Sequence, residues 1–241
     1  MKFDIISIFP GFFTAPLAHG VLRVAQEKKI IDVTITDPRD YAKDSVVDDY
    51  QFGGGGGMVM KAEPVYQAIK HVQTKHSHLI SLTPKGEPLT QNMVNGLLDK
   101  DQLVILCGRY KGIDDRIHAH FDLQEISIGD YVLSGGEIGA LVIIDAITRL
   151  LPGVLGNFSS AESDSFQSRL LASPHYTRPE VHRRQAVPDI LRSGNHKLVA
   201  GWRRKQSLRY TLARRPDILD REVFSKNDLA ILLEVLDGKN S

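Results

Sequence analysis

The chain has 241 residues with 42% hydrophobic and 24% charged side chains and a net charge of +1, the balance of a folded globular protein of one or two domains. A mean hydropathy of −0.17 and the lack of an apolar run of about 18 residues argue against a membrane span. Met1 to Ile6 lacks the apolar block of a secretory signal, so a cytoplasmic location is expected, and the single cysteine, Cys107, allows no internal disulfide and no thiolate zinc site.

Phe3 to Phe9 reads as a buried strand closed by Pro10-Gly11, followed by a helix from Phe12 towards Lys28 with Pro16 in its first turn. Ile31 to Thr36 reads as a second strand. Ala62 to His71 reads as a helix with Pro64 near its start. Leu79 to Leu82 and Leu103 to Cys107 are short buried strands around a helix from Thr90 to Leu98, and Glu125 to Ile128 is another strand. Glu137 to Leu151 is a nearly uncharged helix stopped by Pro152-Gly153. Strands alternating with helices indicate an α/β domain with a mainly parallel sheet.

The polar stretch 157–168, with Asn157, Ser159, Ser160, Ser163, Ser165 and Ser168, reads as a flexible connector between residues 1–156 and residues 169–241. Beyond it the pattern is helical. Ser193 is placed to cap a helix from Asn195 to Arg214 ended by Pro216, and Ser225 with Asp228 signals a capped helix to Leu236. Between Ser168 and Pro216 stand ten arginines and two lysines against Glu180 and Asp189 alone, while the rest of the chain holds 18 basic and 27 acidic residues. A basic quarter on an acidic body suits a polyanionic partner, and the arginine excess suits phosphates. Arg183, Arg184, Arg192, Lys197, Arg203, Arg204, Lys205 and Arg209 are the candidate RNA contacts. Trp202 falls in a helical pattern with Leu198 and Leu208, which favours a core position over base stacking. His175, His182 and His196 have no metal-ligand spacing.

Three glycine-bearing loops stand out: Gly53 to Gly57, Gly108 to Asp114, and Ile128 to Glu137. None has the spacing of a Walker phosphate loop or of a dinucleotide fingerprint. The latter two follow strands, where ligands of open α/β sheets bind. A pocket walled by Leu82, Ile113, Ile128 and Leu133 would suit an adenine and its ribose.

On these loops the sequence resembles the TrmD family, the tRNA (guanine-N1)-methyltransferases of the SPOUT superfamily. The strings that carry the resemblance include Val47-Asp48-Asp49, Cys107-Gly108-Arg109-Tyr110, Ser127 to Leu133, Pro152 to Asn157, Asp164-Ser165-Phe166, Pro174 to Pro179, Leu191 to His196 and Trp202-Arg203. The resemblance implies a parallel sheet with a C-terminal trefoil knot, then a small helical domain that binds tRNA. It implies S-adenosylmethionine as methyl donor and N1 of guanosine 37, 3′ of the anticodon, as acceptor. It also implies a homodimer with each active site shared between protomers. The cofactor residues carried over are Leu82, Thr83, Pro84, Gly108, Tyr110, Ile113, Ile128, Gly129, Asp130, Tyr131, Val132, Leu133, Gly135 and Gly136.

By the same resemblance Asp164 is the general base that frees N1 of its proton, and Arg149 stabilises charge on O6. A solvated carboxylate, with a pKa near ~3.9, is a weak base, and only desolvation in a closed site would strengthen one. Where many relatives have Gly-Arg-Tyr-Glu-Gly, this chain has Lys111, which cannot ligate a cation while protonated, so a role for magnesium is in doubt. Gly139 and Gly56 stand where proline is frequent. The alternatives are a non-catalytic RNA-binding relative, favoured only by Lys111, and a knotted methyltransferase for another RNA. The intact Asp164-Ser165-Phe166 string weighs against ribose methylation.

Overall fold

Apolar runs with buried side chains on both faces build the middle of a five-stranded sheet. The computed structural model describes residues 1–156, 163–219 and 224–236, which fall in two compact units, Met1–Phe158 and Ser159–Ser241. In the first unit the strands are β1 (Lys2–Ile6), β2 (Asp32–Thr36), β3 (Asp48–Tyr50), β4 (Met58–Met60), β5 (Ser77–Pro88), β6 (Gln102–Cys107) and β7 (Leu123–Ser127). The helices are α1 (Thr14–Leu17), α2 (Gly20–Glu27), α3 (Ala62–Val72), α4 (Gln91–Leu97), α5 (Arg116–His120) and α6 (Glu137–Thr148). The sheet order is β2-β1-β6-β5-β7, all parallel, and β3 and β4 form a separate antiparallel pair.

Every residue of β6 is buried, as expected for a parallel strand covered on both faces. Val104 and Leu106 point to one face, where they join Val65, Ala68 and Ile69 of α3 and Ile117 of α5. Leu103 and Ile105 alternate to the other face, and α6, which packs against β6, α2 and α4, buries Ala140, Ile143, Ile144 and Ile147. Buried Asp4 is matched by Lys2 Nζ at 3.0 Å and by Gln102 Nε2, which donates to it at 2.6 Å.

Several elements depart from the sequence reading. The first strand ends at Ile6, because Phe9-Pro10 enters the 3-10 turn Pro10–Phe13. The single helix from Phe12 to Lys28 is divided into that turn, α1 and α2, with the break at Gly20, whose φ is +58°. β5 runs six residues past Leu82, with a register shift against β7 between Leu82 and Glu87. A side chain at Gly86 would collide with the backbone of Glu125 and Ile126, so only glycine lets this extension lie across β7. Short elements unmarked in the sequence are β3, β4 and α5.

The second unit contains an antiparallel hairpin of β8 (Val181–His182) and β9 (Gln185–Ala186), and the helices Asp189–Arg192, His196–Arg214, Pro216–Leu219 and Lys226–Leu236. Asn195, not Ser193, caps the long helix, its Oδ1 accepting from the Leu198 N–H at 3.2 Å. Pro216 opens a further helical turn as well as ending the long helix. Ser225 and Asp228 form the expected capping box: Asp228 N–H donates to Ser225 Oγ at 3.1 Å, and Ser225 N–H donates to Asp228 Oδ2 at 3.2 Å. Residues 163–168 of the polar stretch turn back on their own unit, with Phe166 N–H donating to Leu170 O at 2.8 Å and Ala172 N–H to Ser165 Oγ at 2.9 Å. Residues 157–162, including Asn157, Ser159 and Ser160, lie outside the described residues. Among the described residues no helix is long and apolar enough to cross a membrane.

Candidate functional site

β5, β6 and β7 run parallel, and the second half of β5 with the loops at the carboxyl ends of β6 and β7 surrounds a cavity of about 730 Å³, within the roughly 300–1,000 Å³ common for small-molecule sites. The wall from β5 is Ser81 to Lys85, the loop after β6 supplies Gly108 to Ile113, and the loop after β7 supplies Ile128 to Gly136 without Asp130. Gly57 and Met58, at the start of β4, complete the rim.

Two sets of bonds fix the loop after β6. On one side β4 is stitched to it: Lys111 N–H donates to Met58 O and Met60 N–H to Gly112 O, both at 2.9 Å. On the other side Gly136 N–H donates to Gly108 O at 3.0 Å, which joins it to the loop after β7. A Cβ at Gly136 would stand 2.8 Å from Cys107 Cα, so glycine is what allows this approach.

A charged strut then crosses between the loops. Arg109 Nε donates to Glu137 Oε1 at 3.1 Å, and its second guanidinium nitrogen lies 2.9 Å from Oε2. Glu137, the first residue of α6, is only 1% exposed, and Ser7 Oγ at the end of β1 donates to its Oε1 at 2.8 Å. Arg109 also donates to Ser134 O at 3.2 Å and lies over the Phe9 ring, 4.6 Å from its centroid. The guanidinium and the hydroxyl both bond Oε1, while among the described residues the buried Oε2 makes no hydrogen bond and has only the Arg109 charge beside it. The same surroundings act on neighbours: burial first, then the Glu137 charge, push the Cys107 thiol well above its usual range. Burial and the Asp48 carboxylate raise the Tyr110 phenol.

Of the residues assigned to the cofactor by resemblance, all but Asp130 line this one cavity, including Leu82, Ile113, Ile128 and Leu133. Tyr131 turns its hydroxyl back to donate to Ile128 O at 3.0 Å. The apolar walls and exposed backbone of these loops fit a flat heterocycle carrying polar edges. Lys111, in the second glycine loop, lines the cavity, and so do Lys85, Asp115, His118 and Glu125, which nothing in the sequence marked for it. Arg109 and Glu137 fall in the glycine loops that the sequence marked, but their pairing with each other and with Ser7, across 28 and 130 positions of sequence, was not legible there.

Arg149 caps the C-terminus of α6, half-buried, in the first unit. Asp164 is half-buried in the second unit, inside the turn that Ser165 and Phe166 pin to residues 170–172. That turn is tied to the long helix, because Leu171 N–H donates to Thr211 Oγ1 at 2.9 Å and Thr211 is fully buried. Neither Arg149 nor Asp164 lines the cavity.

The candidate RNA contacts divide. Arg204 donates from Nε to Asp228 Oδ1 at 2.8 Å and from a terminal nitrogen to Oδ2 at 3.1 Å, which lowers the Asp228 carboxyl to about 2. Lys205 pairs with Glu234 at 2.9 Å, and Arg192 with Glu180 at 2.7 Å and with Asp189. Arg183, Arg184, Lys197 and Arg203 are exposed and Arg209 is half-buried, and among the described residues none of these five enters an ion pair. Trp202 is half-buried, its ring 6.4 Å from that of Tyr176, while Leu208 is buried and Leu198 is exposed.

Comparison with known proteins gives a consistent result. Residues 1–221 match the family described as tRNA (Guanine-1)-methyltransferase TrmD. A protein of Geobacillus kaustophilus named tRNA (guanine-N(1)-)-methyltransferase is 50% identical over 224 residues, which cover 91% of this chain and 92% of that protein. Proteins of the same name from Citrifermentans bemidjiense and Bacillus cereus are 48% and 44% identical, covering 98% and 99% of this chain and 96% and 100% of their own.

Proposed function

The chain belongs to the TrmD family of tRNA (guanine-1)-methyltransferases, and from that premise we propose that it methylates N1 of the guanosine at tRNA position 37, just 3′ of the anticodon. Bound S-adenosylmethionine supplies the methyl group. The observation that carries this reading is the cavity between the second half of β5 and the ends of β6 and β7, whose apolar walls and interlocked glycine loops suit an adenosine. We read the passage of residues 83–88 across β7 as part of the family's trefoil knot.

Within this reading, Leu82, Ile113, Ile128 and Leu133 hold the adenine, and the glycine loops after β6 and β7 let the backbone approach it closely. Arg109 and Glu137 act as positioning residues that keep the two loops at a fixed separation. Guanine N1 bears an amide-like proton and is a poor nucleophile until it is removed. Asp164 accepts that proton, and Arg149 stands against the negative charge that then grows on O6. We take the enzyme as a homodimer with each active site shared between protomers, which brings an Asp164 and an Arg149 to one guanine. The basic residues of the second unit hold the tRNA backbone. Lys111 lines the cavity as a cation, and no step is assigned to magnesium.

The test is transfer of labelled methyl from S-adenosylmethionine to two tRNA transcripts that differ only in guanosine or adenosine at position 37. The parent protein is expected to label the first alone. Asp164→Asn is expected to lose about 10²- to 10⁴-fold in transfer rate, with its thermal midpoint measured alongside to confirm that it is folded. Equal labelling of both transcripts overturns the acceptor, and an unchanged rate for Asp164→Asn overturns the base.

A further inference from the structure

The two strands β8 and β9 are joined by a loop of two residues, Arg183 and Arg184, with His182 paired to Gln185. Both loop residues have positive φ, 48° and 69°. A two-residue hairpin loop with positive φ at both centres is a type I′ turn, in which asparagine and glycine are the comfortable occupants. A side chain with a Cβ is disfavoured there, and long arginines gain nothing locally in return.

Among the described residues the hairpin strands bury no side chain that would offset this. Every residue from His175 to Ala186 is exposed, and an isolated two-stranded ribbon is marginal by itself. Three cations of the same unit are occupied, Arg192 by Glu180 and Asp189, Arg204 by Asp228, and Lys205 by Glu234, while Lys197, Arg203 and Arg209 lie on the long helix and not on a turn. Among the described residues Arg183 and Arg184 have no carboxylate partner. Two adjacent guanidiniums thus sit at the tip of a thin solvated ribbon, in a conformation that their own side chains oppose.

We propose that the Arg183–Arg184 turn is a phosphate grip for the tRNA backbone, and that Arg192, Arg204 and Lys205 serve the second unit's own structure instead. This rests on the reading of the chain as a tRNA-modifying enzyme and narrows it to one element. Guanidinium forks take phosphate oxygens in paired hydrogen bonds, and a turn that projects both forks from one point can hold one stretch of backbone. Such contacts are independent of base sequence and weaken with salt.

The decisive variant is the full-length double substitution Arg183→Asn, Arg184→Gly, which installs the sequence the turn prefers. Its thermal midpoint is expected to equal or exceed that of the parent. Its affinity for a tRNA transcript, read by fluorescence anisotropy at several salt concentrations, is expected to fall several-fold. The slope of log affinity against log salt should become shallower by roughly one for each phosphate that is no longer neutralised. Arg183→Lys, Arg184→Lys, which keeps both cations, is expected to recover most of the affinity. Parent-like affinity and slope in the Asn-Gly variant overturn the grip and leave the hairpin for a protein partner. A lowered midpoint in that variant also overturns the proposal, by giving the arginines a structural role. A parent protein that fails to bind tRNA overturns the functional reading itself, which separates the two failures.

Discussion

Arginine is used in opposite ways in the two units. In the first, Arg109 is mostly buried, bonded to a carboxylate that is 1% exposed, and holds two loops to each other. In the second, Arg183 and Arg184 stand in solvent on a hairpin tip, with no carboxylate beside them among the described residues. Arg204 lies between these extremes, half-buried against Asp228. A charge removed from the buried pair leaves its partner desolvated and unmatched, and the fold bears the cost. A charge removed from the tip leaves nothing unmatched, and only a bound ligand notices.

The sharpest way to break this contrast is Arg109→Ala. Leaving Glu137 buried and unpaired should cost about 3–5 kcal/mol in urea unfolding, with Arg109→Lys recovering part of it. A loss under about 1 kcal/mol would place Arg109 with the surface charges. Next in size is Asp228→Asn. The carboxyl is lowered to about 2 by hydrogen bonds from Arg204, so its contribution is complete above the ordinary carboxylate range and disappears as pH falls towards 2. Breaking it should cost about 2 kcal/mol at neutral pH. The variant's stability should also vary less than the parent's between about pH 4 and pH 2. Smallest is Lys205→Ala, which removes a largely solvated pair with Glu234 and should cost at most about 1 kcal/mol, less at high salt.

The parallel sheet was legible because its strands are apolar runs that burial dictates, as in Leu103 to Cys107, and α6 was legible as a nearly uncharged stretch, although it ends at Thr148, short of the Leu151 that Pro152-Gly153 suggested. What escaped is short and polar. Asp48-Asp49-Tyr50 and Val181-His182 are strands only because Met58 to Met60 and Gln185-Ala186 lie opposite them. The extension of β5 contains Pro84, Gly86 and Pro88, which argue against a strand in isolation, and it is held by β7. Glycine loops announced the cavity by composition. The strut of Ser7, Arg109 and Glu137 did not, because no local pattern links residues so far apart. Charge counting likewise found the basic segment but could not separate its ion-paired arginines from its solvated ones, since Asp228 and Glu234 lie outside it.

The central claim is that the second half of β5 and the interlocked loops after β6 and β7 receive the methyl donor. Amide hydrogen exchange of the whole protein with and without S-adenosylmethionine tests it most directly. The account predicts slowed exchange concentrated in residues 81–86, 107–113 and 128–137. Slowing confined to other segments, with these three unchanged at saturating ligand, would contradict it.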